Sequence, residues 1–86
     1  MSDARADVFN AIHRERQHQD GKYGSLDRRG LTLEQYLVIA LGELGEAAQA
    51  LARGNERLSR CEAMQAATVL VAMLERHGVV EREAAG

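Results

Sequence analysis

The chain has no proline, no tryptophan, one phenylalanine, two tyrosines and a single cysteine among its 86 residues. Without proline, no helix is interrupted by a residue that lacks the backbone N–H. One cysteine excludes an intrachain disulfide and any cysteine-based zinc framework. Cys61 reads as a small hydrophobe in a reducing cytosol rather than as a reactive thiol. No apolar run reaches the ~20 residues needed to span a bilayer. Where a signal peptide would be basic and then apolar, the N-terminal stretch carries Asp3, Arg5 and Asp7. An excess of one charge is missing as well: 11 basic against 13 acidic residues leave a net charge of -2. That balance gives no general electrostatic reason to bind a nucleic-acid polymer. The expectation is a soluble, cytoplasmic protein with no membrane partner.

What the chain does hold is abundant Ala, Leu, Glu, Arg and Gln, all strong helix formers, with no sustained alternation of β-branched residues. The fold class is therefore all-α. At this length the core is small, and one domain spans residues 1–86, with an ordered core over about 3–80 and a frayed tail over 81–86.

Ser2 or Asp3 caps a first helix running to about Gln19, with Val8, Phe9 and Ile12 as its apolar stripe. Beyond Ile12 the stripe turns polar through Glu15, Arg16 and Gln19, so this end faces solvent or lines a wet cleft. Asp20 to Leu31 reads as a loop, marked by Gly21, Gly24 and Gly30 and carrying Lys22, Arg28 and Arg29. Thr32 with Gln35 forms a capping box that opens the second helix. Leu37, Leu41, Leu44, Ala48 and Leu51 then recur at spacings of four and three, a helical seam. Gly54 is a stop and Asn55 a cap for a third helix over about Glu56 to His77, apolar on more than one face, which Gly78 ends. Val79 and Val80 are expected to fold back on its last turn. Three such helices make a thin bundle, and a homodimer or higher assembly completes four-helix packing most simply.

Beside the leucine seam runs a second stripe, Ile39, Glu43, Glu46 and Ala50, with acid where a plain core would carry leucine. Neither acid has a Lys or Arg four residues away to pair with. Glu62 and Gln65 repeat the three-residue spacing on the next helix. Two readings of Glu62 stand: a helix start at Ser59 would use it in a capping box, whereas a start at Asn55 frees it to point into the bundle. Carboxylates on apolar helix faces are costly to bury until something positive neutralises them, and Mg²⁺ prefers such oxygen ligands. Lys22, Arg28 and Arg29 beside glycines suit either phosphate or plain solvent. Tyr23 and Tyr36 can stack on a base, although Tyr36 lies early in its helix, where packing is expected. Phe9 reads as core, and His13, His18 and His77, with no close metal-ligand spacing, as surface or packing residues.

Three segments together resemble a known family. Glu15-Arg16-Gln17-His18-Gln19-Asp20-Gly21-Lys22-Tyr23-Gly24 looks like the opening signature of small MazG-like proteins. Leu41 to Ala50 resembles their central acidic helix, and Glu62 to Glu75 the acidic, Ala/Val-rich helix that follows. The resemblance covers roughly Val8 to His77. It implies an all-α nucleoside triphosphate pyrophosphohydrolase, a dimer or tetramer that cleaves between the α and β phosphates to give a monophosphate and pyrophosphate. Carried over by position, Glu43, Glu46 and Glu62, with Gln65, become ligands of Mg²⁺ (or Mn²⁺), and Glu43 and Glu46 the catalytic acids. Lys22 and Arg16 face phosphate, and Gln19 and Tyr23 lie near the nucleotide. House-cleaning of the nucleotide pool is a role the resemblance also suggests.

Two positions depart from the family's pattern. Gly42 stands where an acidic doublet begins and Gln65 where a last acid is expected, so five carboxylates become three. Weaker Mg²⁺ affinity follows. Hydrolysis slows by the roughly 10²–10⁴-fold credited to a general base, unless another group substitutes. The alternatives to an enzyme are a catalytically weak or inactive nucleotide-binding or protein-interaction module of the same fold, and a purely structural helical oligomer.

Overall fold

Capping chemistry sets where the helices of this chain begin. Its structure is a computed structural model that describes residues 3–23 and 30–83. Asp3 Oδ1 accepts from the backbone N–H of Arg5 at 2.9 Å and starts α1, Ala4–Tyr23. Thr32 and Gln35 form the reciprocal capping box of α2, Leu33–Ala52, with both bonds present at 2.9 and 3.1 Å. Asn55 Oδ1 accepts from Leu58 N–H at 3.1 Å and opens α3, Glu56–His77. The turn between α2 and α3 needs Gly54 at a φ of 79°, a backbone conformation that a side chain would strain. Among the described residues the chain is all helix with no strand, and no helix is long and apolar enough to cross a membrane.

α2 and α3 pair as a helical hairpin, and α1 lies against α3. The hairpin is closed mostly by alanine: Ala40, Ala47 and Ala50 of α2 meet Ala66 and Ala72 of α3. Such small side chains let two helix backbones approach closely but bury little apolar area each. Tyr36, 1% exposed, fills one end, where His77 meets its ring edge-on with centroids 6.0 Å apart. The Nε2–H of His77 donates to the Leu31 carbonyl at 3.0 Å and ties the start of α2 to the end of α3. Thr68, fully buried, satisfies its hydroxyl by donating to the Met64 carbonyl at 2.7 Å.

A buried arginine holds α1 in place. Arg16 is 5% exposed; its Nε donates to Glu75 of α3 at 2.6 Å, and Nη1 to Asp20 one turn on at 3.1 Å. Burial alone would lower the guanidinium's proton affinity, but the bond and charge of Glu75, and then Asp20, raise it above its ordinary value. The same Asp20 contact explains why α1 continues to Tyr23 instead of ending near Gln19. Lys22 in the last turn also complements the negative end of the helix.

The apolar pattern is used differently from the expectation. Of the first helix's stripe only Ile12 is buried; Val8 and Phe9 stand exposed. On α2, Leu37, Leu41, Leu44 and Leu51 point to solvent, and the acid-bearing side of the helix is the one that packs inward. Tight contact with α3 selects the alanine face, which leucines would hold apart. Cys61 is likewise exposed, and Val79 and Val80 do not fold back on α3. The Cα radius of gyration, 14.5 Å, exceeds the roughly 12 Å of a compact chain of this length.

Replacing Glu75 by Ala removes the main partner of a buried charge and should cost about 1–3 kcal/mol in urea unfolding. The exposed Glu56–Arg60 pair, 3.8 Å apart, is the control, and Glu56→Ala should cost under ~0.5 kcal/mol. Equal losses would show that Arg16 is not the clamp between α1 and α3.

Candidate functional site

Because α3 begins at Glu56 under the Asn55 cap, Glu62 falls in the helix interior and is free of any capping role. Across the alanine-lined hairpin it lies near Glu46, close enough for the two carboxyls to act on each other. Glu43, one turn before Glu46, has a buried Oε2 with no hydrogen-bond partner. Burial holds its proton affinity above the usual carboxylate range, and the negative charges of Glu62, Glu46 and Glu15 add to this. Glu62 is raised too, first by desolvation and then by the nearby carboxyl of Glu46 and its charge. Glu43 thus sits among the negative charges of Glu62, Glu46 and Glu15.

Beside Glu43 lies a cavity of about 300 Å³, at the small end of ligand-binding clefts. α1 contributes Glu15, His18, Gln19 and Lys22, at spacings that place them on one helix face. Ile39 and Glu43 come from α2, and Gln65 and Val69 from α3. The polar end of α1 therefore lines a cleft rather than facing bulk solvent. A second hollow of about 480 Å³ adjoins it at Ile39, with Leu31 and Val38 in its wall and Glu34 as its one ionisable group.

Of the residues singled out from sequence, Glu43, Gln65, Gln19 and Lys22 share this cavity, with Glu46 and Glu62 next to Glu43. Arg16 is not in its lining; both faces of its guanidinium are occupied by Glu75 and Asp20. The side chain of Tyr23, together with Arg28 and Arg29, lies outside the described residues. His18 was not foreseen as a lining residue, and Glu15 only as part of a polar stripe facing solvent or a wet cleft. The signal was there: both recur with Gln19 and Lys22 at three- and four-residue steps.

Among the described residues, no three His, Cys, Asp or Glu side chains are already arranged to hold a metal ion. The chemistry of the donors nevertheless suits a hard cation: oxygen only, rich in negative charge, and including an orphaned buried oxygen. No protein-family model, no curated protein and no solved structure matches the chain.

The raised proton affinities have a pH consequence. A carboxyl whose folded pKa exceeds its unfolded value stabilises the fold below the unfolded pKa, and that contribution is lost as pH rises through the folded one. The metal-free protein should therefore melt at a lower temperature at pH 7 than in the mildly acidic range just above ordinary carboxylate pKa values. Glu43→Gln should flatten this fall and raise the melting temperature at pH 7. A variant with the same pH profile as the parent would mean that Glu43 is not held among like charges.

Proposed function

We propose that the chain is a Mg²⁺-dependent nucleoside triphosphate pyrophosphohydrolase, converting a triphosphate and water to a monophosphate and pyrophosphate. The observation that carries this reading is the meeting of Glu43, Glu46 and Glu62 beside a cleft that also presents Lys22. The resemblance of three chain segments to MazG-like proteins agrees with it. Glu43, Glu46 and Glu62 would hold the cation, with the amide oxygen of Gln65 as a neutral donor. When bound, Mg²⁺ supplies charge neutralisation at phosphate oxygens and polarisation of water.

The chain's own residues then do three things. Lys22 draws the anionic phosphates into the cleft. Glu43, whose burial makes it a better base than an ordinary carboxylate, accepts the proton of the attacking water. The water oxygen bonds to the α phosphorus, the α–β bridge breaks, and pyrophosphate leaves with the bridging oxygen. Ile39 and Val69 exclude bulk water from the far end of the cleft.

One observation favours a weaker activity or a binding role. As they stand, the carboxylates are not grouped as a ligand shell. Gly42 and Gln65 remove two charges that would draw a cation in. Calorimetry showing triphosphate affinity without turnover would establish that second reading.

Assembly belongs to the same proposal. The exposed Leu37, Leu41, Leu44, Ala48 and Leu51 repeat every seven residues, the pattern of a helix that packs on another helix. Mid-helix Gly45 borders this seam, and a Cβ added there meets nothing within 4 Å in the chain itself. Its smallness thus has no use inside one copy and suits close approach by a second. We infer a homodimer, or a homotetramer built from it, joined through α2.

Two outcomes are expected. Pyrophosphate release measured over a panel of canonical and modified triphosphates with Mg²⁺ should fall by about 10²–10⁴-fold in Glu43→Gln; unchanged turnover removes Glu43 from the chemistry. In light scattering the parent should weigh at least twice its 9.4 kDa chain mass, and Leu41→Glu should be a folded monomer. A monomeric parent ends the assembly claim.

A further inference from the structure

Among the lining residues of the cleft, Gln19 is a neutral side chain that is almost wholly buried, at 8% exposed. Its orientation is imposed from behind. Arg16 Nη1 stands 3.4 Å from Gln19 Oε1, and a guanidinium has donors only. The amide oxygen must therefore turn to Arg16, which leaves the NH₂ group toward the cavity. Arg16 cannot yield, because Glu75 and Asp20 hold it at 2.6 and 3.1 Å. A buried amide locked this way offers a ligand donors and no acceptor.

The cleft also has polarity along its length. On α3, Glu62, Gln65 and Val69 occupy successive turns, and on α2 so do Glu46, Glu43 and Ile39. At a rise of ~1.5 Å per residue Glu46 and Glu62 lie about 10 Å along their helices from Ile39 and Val69, and Glu43 about 6 Å from Ile39. Phosphates belong at the acidic end, and the flat face of a base between the apolar walls, where an amide can read its edge.

We propose that Gln19, oriented by Arg16, selects the base of the nucleotide. A base with a keto oxygen at pyrimidine C4 or purine C6 (uracil, thymine or guanine) is accepted over one with an amino group there (cytosine or adenine). Arg16 is a positioning residue here and touches no ligand. This rests on the triphosphate reading above. Two amino hydrogens facing the Gln19 NH₂ leave both groups unsatisfied, and discrimination of about ten- to hundredfold follows.

Calorimetric binding of α,β-methylene triphosphates of uridine, cytidine, guanosine and adenosine, in ribo and deoxy forms with Mg²⁺, tests it without turnover. The parent should bind the keto analogues about ten- to hundredfold more tightly than the amino ones. Gln19→Glu still satisfies Arg16 but shows the cavity only acceptors, and the order should invert. Arg16→Lys, with folding verified by melting, frees the amide to turn over, and the ratio should move toward one. If the parent binds these analogues and Gln19→Glu leaves the ratio unchanged, the assignment of Gln19 is overturned while the triphosphate reading stands. If the parent binds none of them, both are overturned.

Discussion

The close approach of α2 and α3 across a face of alanines is the constraint on which the rest of the structure depends. Ala40, Ala47, Ala50, Ala66 and Ala72 are all buried, with Tyr36, Thr68 and Val69 the larger buried side chains of the two helices. Glu43 and Glu46 lie on the flank of that face, and Glu62 lies on the flank opposite. Bringing the backbones together therefore brings the acids together. The repulsion within the acid group is a consequence of how small the interface residues are.

That choice leaves α2 with its larger apolar side chains unpartnered. Fully burying one leucine is worth about 1.5–3 kcal/mol, so the seam holds more stabilisation than the alanine contacts can supply. The alanine-rich core and the exposed leucine ridge lie on different faces of α2. The third helix of the site, α1, is held by a different kind of force. Arg16, pinned by Glu75 and Asp20, fixes α1 on α3 and so determines which of its side chains reach the cleft. One arginine thus links the packing of the molecule to the chemistry of its cavity.

Much of this was legible in the sequence where the interactions are local. Thr32 with Gln35, Asn55, Gly54 and Gly78 marked helix ends, because a cap bonds within a few residues of itself. The lone acids on apolar stretches marked the site for a similar reason: the missing Lys or Arg at the next turn can be read directly. What depended on distant partners was not legible. Hydrophobicity ranks Leu41 above Ala40, yet close helix packing reversed their places. Phe9 and Val8 read as core and are exposed, since α1 meets α3 mainly through Ile12 and Arg16. The family resemblance implied a phosphate role for Arg16; its partner Glu75 is 59 residues away, and no local pattern announces it. Glu15 and His18 joined the cleft only because that clamp turns their helix face inward.

The central claim is that Glu43, Glu46 and Glu62 converge on one position that a divalent cation fills. Anomalous diffraction from crystals grown with Mn²⁺, which substitutes for Mg²⁺ and scatters strongly enough to be located, addresses it most directly. A single peak lying among the oxygens of these three side chains is the predicted result. Carboxylates turned apart into solvent, with no peak between them, would contradict the account.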